Sequence, residues 1–62
     1  MRSPLLPTPA QTLECFRVCQ ELTNMFLPIY LVRLDLRDNK IAILAGETIE
    51  ITINRNGETE FP

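Results

Sequence analysis

The sequence predicts a small α+β domain, in which one N-terminal amphipathic helix packs on one face of a three- to four-stranded antiparallel β-meander. Apolar residues recur at helical spacing from residue 9 to about residue 26, and from Ile29 the period changes to two. Turn-forming residues then separate short alternating segments, which is typical of hairpins. The 62 residues suffice for one domain, predicted at 8–62, after a flexible proline-containing tail at 1–7.

The helix start is predicted by a capping box. Thr8 is a favourable N-cap, Pro9 suits the first helical position, and Gln11 follows Thr8 by three residues. The helix is predicted to reach about Phe26, because Pro28 disfavours helical angles in the residue before it. Its buried stripe is predicted to comprise Cys15, Val18, Cys19, Leu22, Met25 and Phe26.

The register of the strands follows from their alternation and from the turns between them. A two-residue turn at Asp38-Asn39 is predicted to pair Leu36 with Ile41, which would also place Leu44 opposite Arg33. This register keeps the apolar faces of the first two strands on the same side of the sheet. The pattern predicts that Val32, Leu34, Ile41, Ile43, Ile49 and Ile51 face the helix.

Two further loops complete the meander. The loop at 46–48 is predicted to have three residues, because an odd length keeps the isoleucines of neighbouring strands on one face. The last hairpin is predicted to have the three-residue loop Arg55-Asn56-Gly57, with Gly57 left-handed in a bulge. A two-residue Asn56-Gly57 turn would instead place Glu60 on the core face.

Composition excludes several classes of function. The net charge is −2, and the six basic residues are scattered singly, whereas nucleic-acid binding usually requires a basic stripe. The apolar runs are too short to span a membrane, and residues 1–9 lack the apolar core of a secretory signal. We therefore expect a cytoplasmic protein, with its two cysteines reduced.

Metal or redox chemistry would have to use Cys15 and Cys19, which share one face of the predicted helix. Two ligands do not close a zinc site, and the chain has no histidine to add. Four thiolates from a homodimer are one alternative. The favoured interpretation is that both are small buried apolar residues, as free cysteines commonly are. No cofactor and no metal site are predicted.

Enzymatic chemistry is not predicted either. The absence of histidine removes the commonest general base, and two glycines are too few for a phosphate-binding loop. The acidic pairs Glu47 with Glu50 and Glu58 with Glu60 lie on turns or predicted solvent faces, where carboxylates are ordinarily just solvated. We expect no catalytic residues.

The outer sheet face is the candidate interface, because it combines apolar side chains with charged neighbours. Its five residues are Leu31, Arg33, Asp35, Leu44 and Glu50. The alternative is that single exposed leucines carry no function. A sheet edge is a second candidate surface. The first functional hypothesis is thus a non-enzymatic protein-interaction module that forms a homodimer or a complex with a small partner.

Four segments resemble a family of small uncharacterised cyanobacterial proteins that is described as a domain of unknown function. They are PTP at 7–9, CFRVCQ at 15–20, PIYLVRLD at 28–35 and LAGETIEI at 44–51. The resemblance implies a cyanobacterial origin and a protein partner, since such proteins are often encoded beside another very small protein. It also suggests a second hypothesis, a regulator of the toxin–antitoxin type that binds a small partner. It implies no catalytic residues.

Overall fold

A computed structural model describes residues 6–61 and contains one helix and a four-stranded antiparallel sheet. The helix α1 spans Pro9–Asn24, and the strands follow in chain order across the sheet. They are β1 (Ile29–Asp35), β2 (Lys40–Ala45), β3 (Ile49–Ile53) and β4 (Thr59–Glu60). The predicted α+β arrangement is confirmed. Of the predicted tail, residues 1–5 lie outside the described residues.

The predicted capping box opens α1. The Gln11 backbone N–H donates to Thr8 Oγ1 at 3.1 Å, and the Thr8 N–H donates to Gln11 Oε1 at 2.8 Å. Pro9 occupies the first turn, where its missing N–H has no intrahelical partner to lose. The Thr8 hydroxyl also donates to the Arg55 carbonyl at 2.8 Å, so the cap fastens the start of α1 to the last hairpin.

The end of α1 differs slightly from the prediction, because the helix stops at Asn24 and Phe26 lies outside it. Phe26 has φ of 61°, a left-handed conformation that a helix cannot continue through. The Leu27 N–H donates back to the Leu22 carbonyl at 2.9 Å, and the Phe26 N–H donates to the Thr23 carbonyl at 3.0 Å. These two bonds form a Schellman motif.

The core lies between α1 and the two central strands. Val18 and Leu22 of α1 are buried against apolar side chains of β2 and β3, of which Ile43 and Ile53 are fully buried. The other buried members are Ile41, Ala45 and Ile51. Cys15 and Cys19 are only half-buried at the margin of this cluster, so their predicted burial under the sheet is partial.

Two of the three predicted loops are confirmed. Ala45 pairs with Ile49 across the three-residue β2–β3 loop. Ile53 pairs with Thr59 across the last hairpin, where Gly57 has φ of 83° and its N–H donates to the Asn54 carbonyl at 2.9 Å. Only glycine adopts this conformation without strain, which explains why the three-residue loop is favoured here.

The predicted β1–β2 turn is wrong by two residues. Asp35 pairs with Lys40, so the turn holds the four residues 36–39 instead of two. The Asp35 carbonyl accepts the Asn39 N–H at 2.8 Å, and the left-handed Asn39 returns the chain toward β2. Leu44 consequently lies opposite Leu31 and not opposite Arg33. The side of the sheet on which each side chain lies is unchanged, because a shift of two residues preserves the alternation.

Candidate functional site

The strand β1 forms one edge of the sheet, and no other strand among residues 6–61 pairs with its outer side. A helix with its side chains is about 10 Å wide and neighbouring strands lie about 4.8 Å apart, so one helix covers about two strands. Here α1 covers the isoleucines of β2 and β3, whereas Ile29 and Leu34 of β1 pack against the same cluster only partly buried. Val32 lies on the helix side of β1 as predicted, but its side chain is 47% exposed. At the opposite edge, β4 has only two residues, whereas β1 has seven.

The backbone of β1 presents hydrogen-bonding groups to solvent along this edge. Asp35 directs its carbonyl toward the β1–β2 turn, where it accepts the Asn39 N–H. Alternate residues of an antiparallel strand direct their N–H and C=O groups to opposite sides. Val32 and Leu34 therefore direct theirs away from β2, toward the free edge.

A groove of about 460 Å³ runs beside this edge, between α1 and β1. We call it the β1 groove. Apolar side chains dominate its lining, and Phe16 on its helical wall is 67% exposed. The lining side chains used below are Cys15, Phe16, Cys19, Val32 and Leu34. The uncovered strand and the groove together make one continuous apolar surface.

The outer sheet face brings three of the five predicted interface residues into one row. Leu31 of β1 lies opposite Leu44 of β2, and Leu44 lies opposite Glu50 of β3. Each leucine is 37% exposed. This row across β1, β2 and β3 consists of two adjacent leucines followed by one glutamate. The outer face therefore combines apolar and charged side chains, as predicted.

The remaining two predicted residues follow along β1 on the same outer face. Arg33 lies opposite Ala42, and it takes part in none of the ion pairs found among residues 6–61. Asp35 accepts the Arg37 backbone N–H at 3.0 Å, and its Oδ2 lies 3.1 Å from the Arg37 guanidinium. These hydrogen bonds from Arg37 lower the pKa of Asp35 to about 2, so Asp35 is ionised at neutral pH.

The two cysteines sit in the helical wall of the β1 groove. Burial, with a smaller contribution from Cys19, raises the pKa of the Cys15 thiol to about 11. Cys15 is therefore a neutral thiol at physiological pH, and it contributes apolar surface to the groove. Within residues 6–61 no group of three or more His, Cys, Asp or Glu side chains is arranged to hold a metal ion.

The β1 groove was not predicted from the sequence. Alternation placed Val32 on the side of the sheet that faces the helix, and Phe16 was not part of the predicted buried stripe of α1. The widths of a helix and a strand were the available signal, since one helix cannot cover four strands. Alternation alone indicates which side of the sheet a residue faces. It does not indicate whether the helix covers that side chain.

The model of the family described as "Domain of unknown function (DUF6888)" matches residues 6–60. No curated protein and no solved structure matches the chain. Among the described residues there is no helix with the length and apolarity needed to cross a membrane.

Proposed function

Because the chain belongs to the DUF6888 family, whose description names no activity, we propose from the geometry that it is a non-enzymatic protein-interaction module. It binds by accepting a strand of another protein alongside β1. The observation that carries this proposal is the seven-residue edge strand β1, whose outer side pairs with no other strand in the part of the chain that the structure describes. In strand addition, main-chain hydrogen bonds supply affinity and neighbouring pockets supply specificity. The β1 groove is such a pocket.

The composition of β1 supports strand addition. Proteins usually protect an exposed edge by making it short, by placing proline or like charges on it, or by covering it. The other edge, β4, is short. By contrast, β1 carries one positive charge, Arg33, and one negative charge, Asp35, and it has no proline. By alternation both charged residues belong to the outer face, and although Arg33 also borders the β1 groove, apolar side chains dominate the groove lining.

One leucine of the outer face also lies at this edge. Leu31 is on β1 itself, so a strand added to β1 would lie beside it, whereas Leu44 on β2 lies one strand further from the edge. We regard Leu31 as a secondary contact of the module. The cytoplasmic location and the cyanobacterial origin stay predictions, as does a small partner of the toxin–antitoxin type.

The test is hydrogen exchange of the Val32 and Leu34 amides in isotopically labelled protein. These amides point to the free edge, so they exchange fast in the isolated chain and slow down when a strand pairs with β1. We expect protection in an extract of the source cells. Val32→Lys places a charge at the edge strand and in the groove. It should lower the protection factors of these amides at least about tenfold.

The matched control is Leu44→Asp, which places a charge on the outer face without touching the edge. It should keep most of the protection. The amide of Ile41, in the buried strand β2, reports that each variant stays folded. If Leu44→Asp abolishes protection and Val32→Lys preserves it, the binding surface is the outer face and the edge-strand proposal is wrong.

A further inference from the structure

We propose that the strand added to β1 is β1 of a second copy of this chain, paired antiparallel about a two-fold axis at Leu34. The inference rests on the proposed function, since it names the occupant of the same edge. It is carried by the charge sequence of the edge, where Arg33 and Asp35 flank Leu34 on the outer face. A strand with this order of charges is complementary to itself when it is reversed.

The backbone limits the possible registers. Only residues that direct their N–H and C=O groups outward form the hydrogen-bonded pairs of a new ladder, and these include Val32 and Leu34. Three antiparallel two-fold registers pair Val32 and Leu34 with themselves or with each other. They are centred on Val32, on Arg33 or on Leu34.

Charge distinguishes the three pairings. Centring on Arg33 places two guanidinium groups side by side, which is unfavourable. Centring on Val32 places Arg33 opposite the partner's Leu31, so the guanidinium has no acidic side chain opposite it. Centring on Leu34 places Arg33 opposite the partner's Asp35, and the two-fold axis makes that ion pair twice. These two pairs lie at non-hydrogen-bonded positions, where opposing side chains approach most closely.

The groove side is complementary in the same register. A two-fold axis perpendicular to the sheet keeps both copies of α1 on the same side of one continuous sheet. Val32, which is 47% exposed, then lies beside the partner's Leu36, which is 59% exposed at the start of the β1–β2 turn. The two β1 grooves join into one apolar trough whose walls carry Phe16 of each copy. The dimer thus covers the apolar surface that α1 leaves bare.

The first measurement uses the wild-type chain in buffer, without extract. Its mass by sedimentation equilibrium should rise toward that of a dimer with concentration. The Leu34 amide, which pairs with the partner's Leu34, should become protected in parallel. Protection of the Val32 and Leu34 amides in cell extract only, with a monomer in buffer at every concentration, overturns the second copy as occupant and leaves the strand-addition module standing. If the Val32 and Leu34 amides exchange fast both in buffer and in cell extract, strand addition at β1 and the second copy as its occupant are both wrong.

The second measurement tests the register by exchanging charges. Arg33→Asp makes both positions acidic and Asp35→Lys makes both basic, so each variant alone repels its own copy. For each, the dimer dissociation constant should rise about tenfold or more. An equimolar mixture should form a heterodimer, since every acidic position then faces a basic one. Two folded variants that fail to associate when mixed, or an Arg33→Asp variant as dimeric as the wild type, overturn the register.

Asp35→Lys also removes the acceptor of the Arg37 N–H, and a loosened turn could prevent folding. In that case the ion pair is tested by comparing the dimer dissociation constants of Arg33→Lys and Arg33→Asp, because neither substitution changes a residue of the turn. Arg33→Lys keeps the charge and should keep the dimer, whereas Arg33→Asp should weaken it. Equal dissociation constants for these two variants contradict the ion pair.

Discussion

At the scale of single residues, Phe26 has a backbone conformation that suits a different residue type. It occupies the left-handed position after α1, where most helices have glycine, and its side chain is 92% exposed. The left-handed conformation costs an L-residue about 1–2 kcal/mol. The ring makes little contact that would offset this cost.

Phe26→Gly should therefore stabilise the domain. Relief of strain outweighs the added entropy of the unfolded chain by about 0.5–1 kcal/mol, which corresponds to a rise in melting temperature of roughly 4–8 °C for a domain of this size. Thermal unfolding followed by circular dichroism measures it. Met25→Gly is the control, because Met25 has φ of −90° and glycine there should lower the melting temperature. A fall for Phe26→Gly would show that the ring stabilises the fold.

Gln11 is the buried polar residue that joins three parts of the chain. Its Nε2 donates to the Asn39 carbonyl at 2.7 Å and to the Ile53 carbonyl at 3.2 Å, while its Oε1 accepts the Thr8 N–H. The side chain is fully buried. It therefore links the start of α1 to the β1–β2 turn and to the end of β3, beyond the capping role that the sequence predicts.

Gln11→Leu should destabilise the domain severely although it preserves most of the volume. It leaves two carbonyl groups and one N–H without this partner, at a cost of about 2–4 kcal/mol. Domains of this size have only about 3–5 kcal/mol of stability, so the variant should be largely unfolded or close to it. Urea unfolding measures the change. Gln20→Leu on the exposed face of α1 should change stability by less than about 0.5 kcal/mol, and an equal loss in both variants would contradict the role of Gln11.

At the scale of the elements, local rules predicted what depends on neighbours in sequence. The capping box placed the start of α1, and alternation placed the five outer-face residues on their side of the sheet. The length of the β1–β2 turn was not predictable in this way, because turns of two and four residues give the same alternation. What distinguishes them is the Asn39 N–H donating to the Asp35 carbonyl, and the apolar pattern carries no signal for that bond.

In the candidate site, too, some features follow from neighbours in sequence and others depend on tertiary packing. Alternation correctly put Val32 on the helix side of β1, but its exposure depends on where α1 lies across the sheet. That position is set by which strands Val18 and Leu22 pack against, which is a tertiary property. The uncovered edge thus emerges only once one helix and four strands are assembled.

At the scale of the whole molecule, ionised carboxylates tie the last strand to the rest of the fold. Glu14 of α1 accepts the Thr59 hydroxyl of β4 and pairs with the Arg17 guanidinium at 2.6 Å. Hydrogen bonds from Arg17 and Thr59 lower the pKa of Glu14 from 4.5 to about 2. Glu60 pairs with the Lys40 ammonium of β2 at 2.9 Å, and this contact lowers its pKa as well.

These shifts predict that the domain loses stability in acid. A carboxyl whose pKa is lower in the folded than in the unfolded chain stabilises the fold above its ordinary pKa, and that stabilisation disappears as the pH falls toward the folded value. The melting temperature should therefore drop between about pH 4.5 and pH 2, the unfolded and folded pKa values of Glu14.

Glu14→Gln should melt lower than the wild type at pH 7 and show a weaker dependence on pH, so that the two curves of melting temperature converge near pH 2. Glu47→Gln, in the exposed β2–β3 loop, should instead follow the wild-type curve. Parallel curves for Glu14→Gln and the wild type would mean that the link between α1 and β4 does not depend on the charge of Glu14.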